Sequence, residues 1–454
     1  MDNGARQRQT YEDVVRHREA PFVVQRPPLF SPAAAAQDEA NPRGAFGHFA
    51  QIMLPLEYTG WVDECRAHTS TCYLGDWTSL NKILVRGPQA LEFLSWLGMN
   101  DLTRFALGQV KHHVQLDGNG WIASEGVLCR LGEEEFLYTA GSGDWLVWQF
   151  SQDRWDAEVE DVSPDRFIFG VQGPASLFAL EKAVGAGLRD IAFNRSREAE
   201  IEGMPVRVLR TGISGELGYE VHGRSADANE VWSAIADAGA EFGIRRLGLR
   251  SQPVQHIEAG IATNGLDYLP SAILTPGAPR QFRRGEIGGS FAPTAVSDYF
   301  RKPSELGWGR RGATASHEFL GRDAVVADSA EGGGRKLMGL VWNVEDVASV
   351  LTSVLGEAEI PDQMELPRQP GPSFDQVLAA GRPVGVSSGR TLSAGLRSMI
   401  SLCVIDAEHA AAGTAVTVLW GRPGTPQREI RATVTELPFK PDHRRLDVGN
   451  LSAG

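Results

Sequence analysis

A strand-turn-helix unit is written twice into this chain, and it constrains the fold more than any other feature. Val85-Arg86-Gly87-Pro88 leads into a helix carrying Leu91, Leu94 and Leu97, and Val171-Gln172-Gly173-Pro174 leads into one carrying Leu177, Phe178 and Leu180. In both, glycine makes the turn and proline stands where a first helical turn has no use for an N–H. The duplication predicts pseudo-symmetric halves whose seam can hold a ligand; chance recurrence of Gly-Pro before a helix is the competing explanation. From about residue 50 to 300, short β-like runs alternate with amphipathic helices, the pattern of an α+β body. One helix is plain: Asp227 as cap, Val231, Ile235, Ala238 and Phe242 at helical spacing, and Gly243 as the stop. After about residue 305 the chain turns β-rich. Gly339 to Asn343, Arg382 to Ser387 and Thr414 to Trp420 read as strands of a separate antiparallel domain, parted by loops such as Gln369 to Pro372. The expected division is a polar N-terminal arm over 1–45, an α+β body of two interleaved domains over 46–305, and a β-rich C-terminal domain over 306–454.

A length of 454 residues allows large buried cores, so no staples are needed. Cys65, Cys72, Cys129 and Cys403 show neither CxxC spacing nor disulfide density, and no signal-like segment opens the chain, which reads as cytoplasmic. No apolar run approaches the roughly 20 residues that span a bilayer. A formal charge of −13 argues against nucleic acid as a partner, since backbone binding depends on cationic surface. An anionic ligand needs a local basic pocket, for which Arg245, Arg246 and Arg250, or Arg280, Arg283 and Arg284, are the candidates. Nothing in the sequence sets the oligomeric state.

Signatures of nicotinamide, phosphoryl and zinc chemistry are missing: there is no GxGxxG after a strand, no GxxxxGK[ST], no HExxH and no GxSxG elbow. The histidines are scattered apart from His112-His113, and neighbours on a strand point to opposite faces, a poor chelate. No metal is expected. The densest unusual segment is TGISGELGYE, Thr211 to Glu220, where Gly212, Gly215 and Gly218 permit tight turning and close approach to a ligand plane. Glu216 and Glu220 add carboxylates able to grip an amino-pyrimidinone such as a pterin. A hairpin with exposed acids is the plainer reading.

TGISGELGYE resembles a segment of the aminomethyltransferase (glycine-cleavage T-protein) family. Further segments resemble that family in order: LPLEYTGWVDECRAH at Leu54 to His68, VQGP at Val171 to Pro174, IEAG at Ile257 to Gly260, LGWGRRGATASHEFLGRDA at Leu306 to Ala324, and GRPVGVSSG at Gly381 to Gly389. VWNVEDV at Val341 to Val347 and VIDAEH at Val404 to His409 lean toward the branch acting on aromatic ethers, which includes aryl O-demethylases and a sesamin methylene transferase. The resemblance implies an α+β, three-domain cloverleaf around a central folate tunnel, with tetrahydrofolate as one-carbon acceptor and a small aromatic ether as donor. By motif position it implies that Glu220 grips the pterin, with Gln172, Tyr219 and Gln51 also at the folate, and that Tyr58 lies near the substrate. Glu125, in NGWIASEGVL, stands where T-proteins carry a functional aspartate.

One departure matters. The demethylases have a tyrosine, taken as proton donor, six residues before the Glu of their ESG segment; here that position is Gln252, before Glu258. A neutral amide cannot serve as that acid. The tryptophan that follows ESG there is here Ile261. A phenolate leaves readily only if its oxygen is protonated or hydrogen-bonded, and Glu125 and His256 are the first candidates, with His112, His113 and Tyr219 behind them. For each alone, packing or exposure is the commoner role. The expectation is methylene transfer from a methylenedioxyphenyl compound such as a sesamin-like lignan, giving a catechol and 5,10-methylene-tetrahydrofolate. The alternatives are a vanillate- or syringate-type O-demethylase giving 5-methyl-tetrahydrofolate, a folate-binding accessory protein without turnover, and a plain scaffold.

Overall fold

The computed structural model describes residues 2–19, 29–41, 44–50, 52–277, 287–309, 316–330, 334–357, 359–364 and 371–452, and the single positions 312, 314 and 332. Gln51 and the arginines at 280, 283 and 284 lie outside the described residues.

The chain begins one sheet, leaves it, builds another and returns. Tyr73–Asp76 is a strand of the first sheet; the five-stranded second sheet follows, in the order Val110–Leu116, Ile122–Arg130, Glu135–Ala140, Asn81–Arg86, Glu158–Asp161. The chain then completes the first sheet, whose six strands run in the order Ser196–Ile201, Met204–Leu209, Gly218–Arg224, Arg166–Gln172, Tyr73–Asp76, Arg245–Leu247. Neighbours are antiparallel except the last pair.

Strand alternation divides the first sheet chemically. Phe167, Phe169, Val171, Tyr219 and Val221 enter a fully buried core, where the rings of Phe167 and Phe169 stack at 4.2 Å and Trp232 meets Phe169 edge-on at 5.0 Å. The helix Ala228–Gly239 supplies Val231, Trp232 and Ile235 to this core, each burial being worth about 1.5–3 kcal/mol. Gly243 stops this region in the left-handed conformation, φ 72°, after a short 3-10 turn. Asp227 stands at the N-cap but does not cap: its carboxylate accepts from Arg224 Nε at 2.8 Å instead.

The duplicated unit is present in both sheets. Gly87 and Gly173 have φ 122° and 126°, and a Cβ there would lie 2.8 Å from Ala157 Cα and 2.5 Å from Thr71 O, so glycine is required twice over. The prolines do not start the helices, which begin at Ala90 and Ser176. They occupy the second position of a turn closed by Ala90 N–H to Gly87 O and Ser176 N–H to Gly173 O, both 3.0 Å, where a fixed φ favours the turn.

The C-terminal region is a closed six-stranded antiparallel barrel, in the order Arg335–Trp342, Ser398–Asp406, Arg382–Ser393, Phe374–Ala379, Ala415–Trp420, Arg428–Thr435. Asn343, in VWNVEDV, caps the helix Val344–Thr352 by accepting from Glu345 and Asp346 N–H. Ile400, Leu402 and Val404 of the barrel share one apolar cluster with Val114 and Ile122 of the second sheet and with Ile257 and Tyr268. Beyond the barrel the chain runs back to the first sheet, where His443 N–H donates to Gly215 O and Arg189 donates to the carbonyls of Val448 and Leu451. At the other end the helix Asn3–Glu19 is held by an Arg8–Asp165 ion pair and by Tyr11 donating to Asp161 at 2.6 Å. Among the described residues no helix is long and apolar enough to cross a membrane.

Candidate functional site

The face of the first sheet away from its core carries Tyr73, Gly170, Gln172, Gly218, Glu220 and His222, because these alternate with the buried apolar set. The glycine-rich segment is the loop of a hairpin on this face, joining Met204–Leu209 to Gly218–Arg224. Its glycines make room for a side chain: a Cβ at Gly212 would collide with Gln172 Oε1, and one at Gly218 would lie 2.6 Å from Gln172 Cγ. Gln172 Oε1 accepts from Ser214 N–H at 3.1 Å, while its buried Nε2 has no partner among the described residues.

The acids of this hairpin are not the exposed pair of the plainer reading. Glu216 is 4% exposed and bridges Lys440 at 2.5 Å and His443 at 2.7 Å, which makes it a tie to the chain's end. Glu220, 15% exposed, shares a 3.0 Å hydrogen bond with His222 on the same face. The structure does not bring Tyr219 to Glu220. Alternation sends Tyr219 into the core, where burial pushes its hydroxyl up to about 12.

Glu220 pairs in register with Leu209, which packs on Val110 and Cys129 of the second sheet. The open faces of the two sheets therefore oppose each other. Cys129, Val127 and Glu125 share the second sheet's face toward this seam, and His112 stands across from Val127. His112 Nε2 hydrogen-bonds Glu125 Oε2 at 2.5 Å, Trp308 meets the imidazole edge-on at 4.8 Å, and Asn264 N–H donates to Glu125 Oε1 at 3.3 Å. His113 points the other way, bonded to Leu94 O at 2.9 Å, and burial lowers it to about 4.

The third wall is the helix Gln252–Glu258 and the loop after it. Gln252 Nε2 donates to Asp76 O at 3.1 Å, and its buried Oε1 has no partner among the described residues. Both amide atoms of Gln255 are buried and unpartnered in the same sense, beside the Tyr73 hydroxyl. His256 Nε2 hydrogen-bonds Asp267 Oδ2 at 3.2 Å, and Asp267 also accepts from Thr263 N–H at 2.8 Å and from the barrel's Ser388 hydroxyl at 3.0 Å. Gly389, φ 61°, lets the barrel strand close on this pair, since a Cβ there would lie 2.5 Å from Asp267 Oδ1. Glu258 is spent on structure, with His68 at 2.7 Å and Ser393 at 2.6 Å. Ile261 is half-buried just past the helix, its N–H donating to His256 O.

Tyr58 is not on the seam. It joins the first sheet's core, held by a Glu64 carboxylate that accepts its N–H and those of Thr59, Gly60 and Gly248. Of the described basic cluster, Arg245 pairs with Asp63 at 2.7 Å and Arg250 with Glu57 at 2.5 Å, and Arg246 Nε is buried without a hydrogen-bond partner among the described residues. Among the described residues no group of three or more His, Cys, Asp or Glu is arranged to hold a metal.

Buried amide and hydroxyl atoms without partners among the described residues thus occur on each of these walls: at Gln172 on the face of Glu220, at Gln252 and Gln255 on the helix, and at Thr263 and Asn264 on the loop bonded to Asp267 and Glu125. Leaving each unmade costs about 1–3 kcal/mol, so the set suits a planar ligand rich in donors and acceptors, as a pterin is. Sequence reading missed Asp267, His222, Gln255 and the Thr263–Asn264 loop. Only the paired spacing of Glu220 and His222 along one strand was available as a signal.

The family model described as the GCVT N-terminal domain matches residues 37–272. A sesamin methylene transferase of Sinomonas sp. (strain No.22) is 37% identical over 430 residues, covering 88% of this chain and 94% of that protein. A syringate O-demethylase of Sphingobium sp. is 29% identical over 85% of this chain and 90% of its own. The solved aminomethyltransferase T of the glycine cleavage system from Bartonella henselae has the same fold, with TM-score 0.69 at 19% identity over 91% of this chain and 98% of that one.

Proposed function

Because the chain belongs to the GCVT, aminomethyltransferase-like family of one-carbon transferases that use tetrahydrofolate, we propose that it takes a methylene carbon from a methylenedioxyphenyl ether of the sesamin type and releases a catechol. One observation carries the choice of donor. Gln252 stands where the demethylases keep their acid, and one N–H of its amide is donated to Asp76 O. A neutral amide can hydrogen-bond but cannot transfer a proton to a departing phenolate, so the demethylase-type acid is missing at this position.

In this reading the seam between the two sheets and the barrel is the folate tunnel of a three-domain cloverleaf. Tetrahydrofolate supplies the amine nitrogens that take up the carbon. Glu220 holds the pterin edge, positioned by His222, and Gln172 Nε2 donates to the ring. Gln252 and Ile261 border the donor, leaving an amide and an apolar side chain where an acid and a large ring would otherwise be. Glu125 and His256 handle the proton of the leaving oxygen, help of a kind worth roughly 10²–10⁴-fold. Holding donor and acceptor in line supplies much of the remaining rate. Tyr58, in the core, drops out of the donor site.

The second reading, a methyl-ether demethylase, draws on the 29% identical syringate enzyme and on the imidazole of His256 as a substitute acid. Incubation with tetrahydrofolate and a panel of methoxy- and methylenedioxy-aromatics separates the two. A catechol with 5,10-methylene-tetrahydrofolate is expected. A phenol with 5-methyl-tetrahydrofolate from vanillate or syringate, and none from the methylenedioxy compounds, sinks the first reading. Tetrahydrofolate binding without any turnover leaves a binding role.

A further inference from the structure

A methylenedioxy carbon leaves only when two C–O bonds break. Two C–N bonds form in their place, two amine N–H protons are given up, and two phenolic oxygens each gain one. No oxidant or reductant enters. A methoxyl donor breaks one C–O bond and needs one such proton. Resting on the methylene reading, we propose that the protein carries two proton stations, the imidazole–carboxylate pairs His256–Asp267 and His112–Glu125, one for each oxygen of the donor.

The pairs are built alike. In each, imidazole Nε2 meets a carboxylate oxygen, at 3.2 Å and 2.5 Å, and Nδ1 makes no hydrogen bond among the described residues. A carboxylate on one ring nitrogen stabilises the imidazolium and fixes which nitrogen faces the substrate. The two carboxylates are also joined. Thr263 N–H donates to Asp267 and the next amide, Asn264 N–H, donates to Glu125, so one short loop sets the separation of both stations. Thr263 Oγ1 and Asn264 Oδ1, on that same loop, are buried without partners among the described residues. The Thr263 hydroxyl can donate to an ether oxygen of the donor, and Asn264 Oδ1 can accept from a phenolic hydroxyl once it forms.

His68–Glu258, both members 2% exposed, resembles His256–Asp267, 5% and 1% exposed, in its burial and in the barrel serine on its second carboxylate oxygen, Ser393 there and Ser388 here. What sets it apart is that no amide of the Thr263–Asn264 loop bonds to Glu258 among the described residues. His112 and Glu125 are 33% and 15% exposed, open to the seam. Asp267 need not touch the donor: it is a positioning residue acting through His256.

The test uses the full chain with Asp267→Asn and His112→Gln. Single-turnover catechol release is measured for a benzodioxole carrying an alkyl group and one carrying a nitro group. Both variants should lose about 10²-fold or more on the alkyl donor, with tetrahydrofolate Kd changed less than twofold. The loss should shrink at least tenfold on the nitro donor, whose phenolates leave without protonation. Long-range ¹H–¹⁵N spectra of the ligand-free protein give a readout independent of turnover: Asp267→Asn should change the tautomer signature of His256 alone, and Glu125→Gln that of His112 alone. If wild-type protein makes catechol but His112→Gln keeps its full rate, or if losses are equal on both donors, the two stations fall and the methylene reading stands. If wild-type protein makes no catechol, the methylene reading fails and takes the second station with it.

Discussion

Within one hairpin, two glutamates four residues apart have opposite fates. Glu216, in the loop, is sealed by Lys440 and His443 from the far end of the chain, whereas Glu220, on the strand, has only His222 as a side-chain partner among the described residues and faces the seam. The loop half is a joint, and the strand half is the proposed site. An acid beside glycines is thus read correctly only once its partners are known. The second sheet repeats the contrast in consecutive residues: His112 faces the seam and His113 is locked in the core.

The largest effect should break the joint. Glu216→Ala leaves the Lys440 ammonium, 8% exposed, without its counter-charge, and such losses cost roughly 3–5 kcal/mol. Denaturant unfolding should register it, and a loss under about 1 kcal/mol would put Glu216 among the site residues after all.

Acid probes the second sheet's version. His113 is lowered by burial from 6.5 to about 4, so below about pH 6.5 the unfolded chain binds a proton that the folded one refuses. Stability contributed by the neutral ring is present above that pH and falls as pH drops toward about 4, by roughly 3 kcal/mol in all. His113→Gln should flatten this part of the stability–pH curve; an unchanged slope would mean the ring is not a core group.

Glu220→Gln should instead spare the fold. Tetrahydrofolate affinity should drop about tenfold or more, the roughly 1.5–3 kcal/mol of a hydrogen bond to a charged group, with Tm moved by no more than a degree or two. Titration calorimetry beside a thermal melt decides it, and equal affinity removes Glu220 from the pterin. The smallest effect belongs to the residue between the two glutamates. Tyr219→Phe removes a buried hydroxyl with no partner among the described residues, so stability should shift by less than about 1 kcal/mol and folate affinity not at all. A weakened affinity would return Tyr219 to the ligand.

Local pattern made much of this legible. The turns at Gly87 and Gly173, the helix ending before Gly243 and the late strands follow from glycine geometry and from apolar periodicity, both carried by neighbouring residues. Gln172 and Glu220 were legible as motif positions, and their sharing of a face follows from register. What escaped was whatever depends on distant chain. The tie from Glu216 to Lys440 spans 224 residues, and the one from Ser388 to Asp267 spans 121. Asp267 sits in no motif, and its use depends on a barrel strand that arrives later. The glycines of the hairpin were expected to admit a ligand and instead admit Gln172, because periodicity shows where space is needed and not what fills it.

The route of the chain between the two sheets dictates an order of assembly. The strand Tyr73–Asp76 is synthesised before any part of the second sheet, yet its hydrogen-bonded neighbours are Arg166–Gln172 and Arg245–Leu247. The second sheet can close while the first still waits for most of its strands, holding one apolar edge unpaired over a long stretch of synthesis. Folding dominated by such distant pairings is slow and leaves edges open to aggregation. The proposed stations and folate face, which need both sheets and the barrel at once, are therefore among the last parts to form, and a ribosome-bound chain ending before the barrel should hold a folded second sheet and bind no folate.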